Sequence, residues 1–187
     1  NYFILNGNYY ALSGKGSHPA IDDRIKSIGE PSEFNDINYN RRVSFVSTYN
    51  AIEALNNNNF LKSKELSEKN LISNVATEDD YLILALVNTY MYDSEKENLK
   101  SLELIAKAKK LNISPNINLP KQEAIILIRL GRKEEAKKSL LEYVQNLEKE
   151  RLITEKQYSP ADYSKISSFI NSEIKWSMKM INKIDYL

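Results

Sequence analysis

Residues 121–144, KQEAIILIRLGRKEEAKKSLLEYV, read as two helices and the turn between them. Ala124, Leu127 and Leu130 recur at three-residue steps. Ala136, Leu140, Tyr143 and Val144 recur at steps of four, three and one. Each set lies along one side of a 3.6-residue helix, which is the mark of a buried stripe. Gly131 falls where the first stripe ends, and Gly131-Arg132 closes that helix. Glu134 and Glu135 open the second helix, where the positive end of its dipole favours acids. The spacing predicts helices over 121–130 and 134–151.

The same period extends to both sides. Val43, Val46, Tyr49, Ala51, Ile52 and Leu55 mark one helix, which four asparagines at 56–59 interrupt. Phe60, Leu61, Leu66 and Leu71 mark the next. Thr77 begins a T-x-x-D capping pattern ahead of a third helix, 79–92, that is apolar around most of its circumference. Leu99, Leu102, Ile105, Ala106 and Ala108 carry a fourth, and Pro115 and Pro120 bracket a turn. Ser159-Pro160-Ala161-Asp162 is a serine cap, a proline at the first helical position and an acid in the first turn. It starts a last helix of about 25 residues, roughly 37 Å long at 1.5 Å per residue.

The quoted stretch resembles part of a tetratricopeptide repeat, in which small residues let paired helices approach closely and a glycine turns the hairpin. Ser63 and Leu102 stand near the position of Ala136, at successive spacings of 39 and 34 residues. The fold class is therefore all-α: a tetratricopeptide-like stack of about three hairpins, capped by a long C-terminal helix and preceded by a short irregular segment. An irregular helical bundle is the alternative, since any amphipathic hairpin array gives similar spacing.

Composition narrows the function. The 187 residues suffice for one domain or a small domain with an appendage. Lys and Arg number 26 against 25 Asp and Glu, so no net field favours nucleic acid or an anionic membrane. Cysteine is absent, which excludes disulfides and thiolate metal sites and leaves the compartment open. The longest apolar run, 81–87, is far short of the roughly 20 residues of a membrane span. With no initiator Met and no signal-type start, the chain reads as a soluble piece, with any signal or anchor upstream.

Residues 1–38 differ in character from 39–187. They hold four of the five glycines, two of the five prolines and the only histidine. Residues 2–12 suit a hairpin about Asn6-Gly7, or else the frayed end of a helix. Pro19 suits the first turn of a short helix over 20–28. Ser17-His18-Pro19, four residues, then Arg24-Ile25 resembles the late motif of the HtpX-type and CAAX-prenyl-protease family of zinc metallopeptidases.

That resemblance implies that residues 1–38 are the tail of a metallopeptidase-like catalytic domain. Catalytic roles would fall to His18 and Arg24, meeting the scissile carbonyl or substrate backbone from outside the metal-binding helices. A fixed donor or guanidinium at a carbonyl gaining negative charge lowers the barrier. The family's H-E-x-x-H helix is absent, and one histidine cannot supply two. Zinc is thus expected only in a full-length protein, with ligands outside this chain. It also implies a bacterial extracytoplasmic or membrane-associated location. Without it, His18 is a solvent-facing loop residue and Arg24 pairs with Asp22, Asp23 or Glu30.

Other motifs point to structure. The acid pairs 22–23, 79–80 and 134–135 lie in or near first turns of helices, where the dipole accounts for them. Ser13-Gly14-Lys15-Gly16 lacks the order of a phosphate loop, and no G-x-S-x-G occurs. Tyr81, Tyr90, Tyr92 and Tyr143 suit either a core edge or a concave peptide-binding face. Trp176 lies off the main stripe of the last helix, as a packing anchor or an exposed contact. The expected function is the C-terminal region of a zinc metallopeptidase, inactive alone, whose helical repeats bind a protein or peptide. The alternative is a free-standing helical-repeat scaffold or adaptor without enzymatic activity.

Overall fold

A computed structural model describes residues 36–111 and 116–186. Over them the chain forms α1 (Asp36–Asn56), α2 (Phe60–Ile72), α3 (Glu78–Met91), α4 (Glu95–Leu111), α5 (Asn118–Arg129), α6 (Lys133–Gln157) and α7 (Pro160–Lys183), then a short 3-10 turn, Ile184–Tyr186. No strand occurs among the described residues, and none of their helices is long and apolar enough to cross a membrane. The hairpin expected over 2–12, the helix expected over 20–28, His18, Arg24 and Pro115 lie outside the described residues.

Polar punctuation sets the reversals. Asn58 adopts φ +58° between α1 and α2, and Asn59 caps α2 by accepting from the Lys62 amide at 3.2 Å. Gly131, at φ +69°, turns α5 into α6; the left-handed region is one that a Cβ disfavours. The Ser159 hydroxyl accepts from the Asp162 amide and starts α7 at Pro160. α5 begins at Asn118, three residues earlier than expected. Pro120 sits inside its first turn, where the missing N–H has no partner to lose. α6 extends six residues beyond the expected end at 151.

Each helix packs on the next, and α1–α3 and α3–α5 are in contact as well. α1, α3 and α5 of the odd-numbered helices thus form one layer, and α7 packs on α6 at the end of the stack. One core cluster joins α1, α3, α4 and α5 through Ala51, Leu55, Leu82, Ile83, Ile105 and Ile126. A second joins α5, α6 and the final turn through Ala124, Leu127, Ala136, Leu140 and Ile184, with Trp176 packed against it. The third ties α6 to α7 through Tyr143, Leu147, Ile166 and Ile170.

Small residues seal the hairpins. Ser63 donates to the Ala51 carbonyl at 2.8 Å, and Asn88 of α3 donates to Ser101 of α4 at 2.8 Å. Ser63, Ser101 and Ala136 are all fully buried near the start of a second helix, with spacings of 38 and 35 residues. In the middle hairpin Ser101 is fully buried and Leu102 beside it is partly buried. On α2 the buried line is Ser63, Ser67 and Asn70, while Leu61 is 70% exposed. The interior line is small or polar because the backbone of this helix approaches its neighbours closely there, while Leu66 packs at the edge of the core. Ser63→Leu or Ala136→Leu should accordingly destabilise by about 1–3 kcal/mol through overpacking. Urea unfolding reads this directly, and unchanged midpoints would show that the hairpin faces are not closely packed.

A polar network joins the first three helices beneath this surface. The Asp80 carboxylate, fully buried, accepts from Thr48 Oγ1 at 3.0 Å, Asn70 Nδ2 at 3.0 Å and the Thr77 amide at 2.9 Å. Thr77-to-Asp80 is the reciprocal cap that the T-x-x-D pattern implies. Burial raises the Asp80 pKa above the usual carboxylate value, and these donors oppose the rise without cancelling it. Asp79 beside it accepts from Asn116 at 2.7 Å, anchoring the segment before α5. The pair at 79–80 is structural in its visible contacts. At 134–135, Glu134 pairs with Lys137 and Glu135 with Arg132.

Candidate functional site: a groove on the odd-helix layer

Helical stagger aligns side chains four residues apart, and three such rows converge on one concavity. Leu82, Leu86 and Tyr90 form the row from α3. Asn118, Lys121, Gln122 and Ile125 form the row from α5, and Phe169 and Glu173 come from α7. The end of α1 and the start of α2 close the groove with Leu55, Asn56, Asn58 and Phe60. The groove is open to solvent and has a volume of about 370 Å³.

At one wall Phe60 and Tyr90 stack, with ring centroids 5.3 Å apart and planes 17° from parallel. Tyr90 is 58% exposed, so this ring pair presents apolar surface to solvent. A charged cluster forms the opposite wall. Lys121 Nζ donates to Glu173 Oε2 at 2.5 Å, and the Tyr143 hydroxyl donates to the same oxygen at 2.7 Å. The ammonium also lies 4.9 Å from the Trp176 ring centroid and 5.7 Å from that of Tyr143. Two rings and a carboxylate thereby hold the cation in place.

Gln122 occupies the floor and is only 5% exposed. Thr89 has a single hydroxyl proton, which it donates to the Ala85 carbonyl at 2.7 Å. Its oxygen must therefore accept from Gln122 Nε2, 3.0 Å away. That fixes the orientation of the amide and leaves its oxygen without a donor among the described residues.

Among the residues singled out from sequence, Tyr143 is buried with its hydroxyl at the groove wall, and Tyr81 is partly buried against the core. Tyr90 lines the groove, and Tyr92 is exposed. The four do not act as one face. Trp176 is a packing anchor that also carries the Lys121 cation. Elsewhere, Lys109 pairs with Glu123 and Glu142, and Arg151 with Glu148. His18 and Arg24 lie outside the described residues.

Lys121, Gln122 and Glu173 escaped the sequence reading. Gln122 did leave a trace, since it falls four residues before Ile126 on the buried side of α5. The meeting of Lys121 with Glu173 across 52 residues left none. No three His, Cys, Asp or Glu among the described residues converge as metal ligands, so these residues offer no fit to a zinc ion. No family model matches the sequence, and neither a curated protein nor a solved structure matches it.

Proposed function

We propose that residues 39–187 form a tetratricopeptide-like docking module whose odd-helix groove receives a peptide segment of a protein ligand. The observation that carries this reading is the groove itself: a concave, partly aromatic space of about 370 Å³ lined by the end of α1, the start of α2, and α3, α5 and α7. Sites of this size, mostly apolar with a few fixed polar groups, are the usual form of a binding pocket. Hairpin stacks characteristically present such surfaces along one layer.

The Ser17-His18-Pro19…Arg24-Ile25 motif supports placing this module at the C-terminal end of a zinc metallopeptidase. There His18 and Arg24 would contact the substrate at the scissile bond, and the stack would recruit or hold the substrate. Zinc would be bound by residues outside this chain, and this chain alone would not be active. The competing reading is a free-standing helical-repeat adaptor.

Zinc content and casein hydrolysis, measured on the protein produced from its natural start codon, separate the two. The peptidase reading expects about one zinc per chain, as a catalytic site needs, with His18→Ala keeping the metal and losing hydrolysis. A natural product without zinc or hydrolysis would leave the adaptor.

A further inference from the structure

The groove's chemistry defines its occupant, given that the docking reading above holds. Among the described residues, its charged lining consists of Lys121 and Glu173, which neutralise each other at hydrogen-bond distance. Glu173 is engaged further by Tyr143, and Lys121 by two aromatic faces. A charged ligand side chain entering this space would be desolvated without an unpaired opposite charge to meet it, which is costly. Ile125 and Phe169, both partly exposed, and the edge of Leu86 offer apolar contact instead, beside the uncharged amides of Asn56, Asn58 and Asn118.

An apolar ligand brings one polar demand with it, since each backbone N–H that enters must find an acceptor. Gln122 supplies one. Its nitrogen is committed to Thr89 and its oxygen is left over, on a side chain 5% exposed at the groove floor. An acceptor held this way, with its orientation already fixed, loses little entropy on binding.

We propose that the groove binds an uncharged, apolar peptide segment, with side chains packed on Leu86, Ile125 and Phe169 and one backbone N–H donated to the Gln122 amide oxygen. The volume suits a short run of side chains, and the mutually neutralised walls exclude acidic and basic segments alike. Recognition of this kind is driven by apolar burial and is insensitive to salt.

The test uses three fluorescein-labelled peptides with identical Gly-Ser flanks and a core of Leu-Phe-Leu-Ala, of four Glu or of four Lys. Anisotropy is read at low and high NaCl, with amide resonances of α3, α5 and α7 followed by NMR. The apolar core should bind at least about tenfold more tightly than either charged core, with affinity little changed by salt. Ile125→Glu should abolish binding, and Gln122→Met should weaken it about five- to tenfold, the value of one hydrogen bond. N-methylation of one particular backbone nitrogen should weaken binding to the parent protein and cause no further loss in Gln122→Met. A merely structural role for Gln122 would not produce that non-additivity.

Circular dichroism melts establish that both variants are folded. Tighter binding of an acidic or basic core at these same resonances overturns the proposed ligand class and leaves the docking reading standing. Additive effects of N-methylation and Gln122→Met overturn the role of Gln122. Failure of all three peptides to perturb the groove at millimolar concentration overturns the docking reading itself.

Discussion

Tyr143→Ala is expected to lower the free energy of unfolding by about 3–5 kcal/mol, the range for deleting a large buried aromatic side chain. Tyr143 is the bulkiest of the fully buried side chains, and it packs with Ile117, Leu147, Ile166 and Ile170 where α7 meets α6. Alanine would remove the ring, leave a cavity that two long helices cannot close by small shifts, and take one of two donors from Glu173. Tyr143→Phe separates the terms. It keeps the ring and loses only the hydroxyl, while Lys121 still satisfies Glu173, so about 1 kcal/mol should be lost. Urea unfolding with far-UV detection measures both. An alanine variant within about 1 kcal/mol of the parent would mean that α7 contributes little to a cooperative core.

Asp80→Ala is the second large effect, expected to cost about 3 kcal/mol by stranding several buried donors at once. Thr48, Asn70 and Thr77 would all lose an acceptor, and α1, α2 and α3 the junction that joins them. The effect should depend on pH in an unusual direction. Burial raises the Asp80 pKa above its ordinary value of 3.8, so in acid the folded protein binds a proton that the unfolded chain has released. The stabilising contribution of Asp80 is then fully present below pH 3.8 and declines as pH rises through the folded-state pKa. The cost of Asp80→Ala should therefore be largest near pH 3.5 and smaller at pH 7. Glu97 and Glu135, held below their ordinary values by Lys100 and Arg132, act in the opposite sense, but they are common to both proteins and cancel in the difference. Carbon-detected NMR titration checks the premise: a midpoint at or below 3.8 for the Asp80 carboxyl would remove it.

Much of the helical framework was legible in the sequence because its signals are local. Gly131 turns the α5–α6 hairpin where the stripe of Ala124, Leu127 and Leu130 ends. Ser159-Pro160 starts α7, and Thr77 with Asp80 caps α3 as the pattern implies. Each depends on a few neighbouring residues, so one-dimensional spacing carries the information. Burial was less legible where a second element intervened. Of the apolar residues that mark α2, Phe60 and Leu66 pack on the core while Leu61 is exposed, and the fully interior line is Ser63, Ser67 and Asn70. Hydrophobicity alone does not report how near the neighbouring backbone lies, and here proximity outweighs it.

The amino-acid sequence by itself determined that this protein is a succession of amphipathic helices with defined starts and stops, because capping and periodicity act within a few turns of chain. Only the tertiary structure decided which residues share a surface. The groove takes rows from α3, α5 and α7, and its charged wall joins Lys121 to Glu173. The orientation of Gln122 is set by a threonine 33 residues away. An amide acquires a fixed orientation, and an ammonium its carboxylate, only when hairpin stacking brings distant turns into hydrogen-bond range.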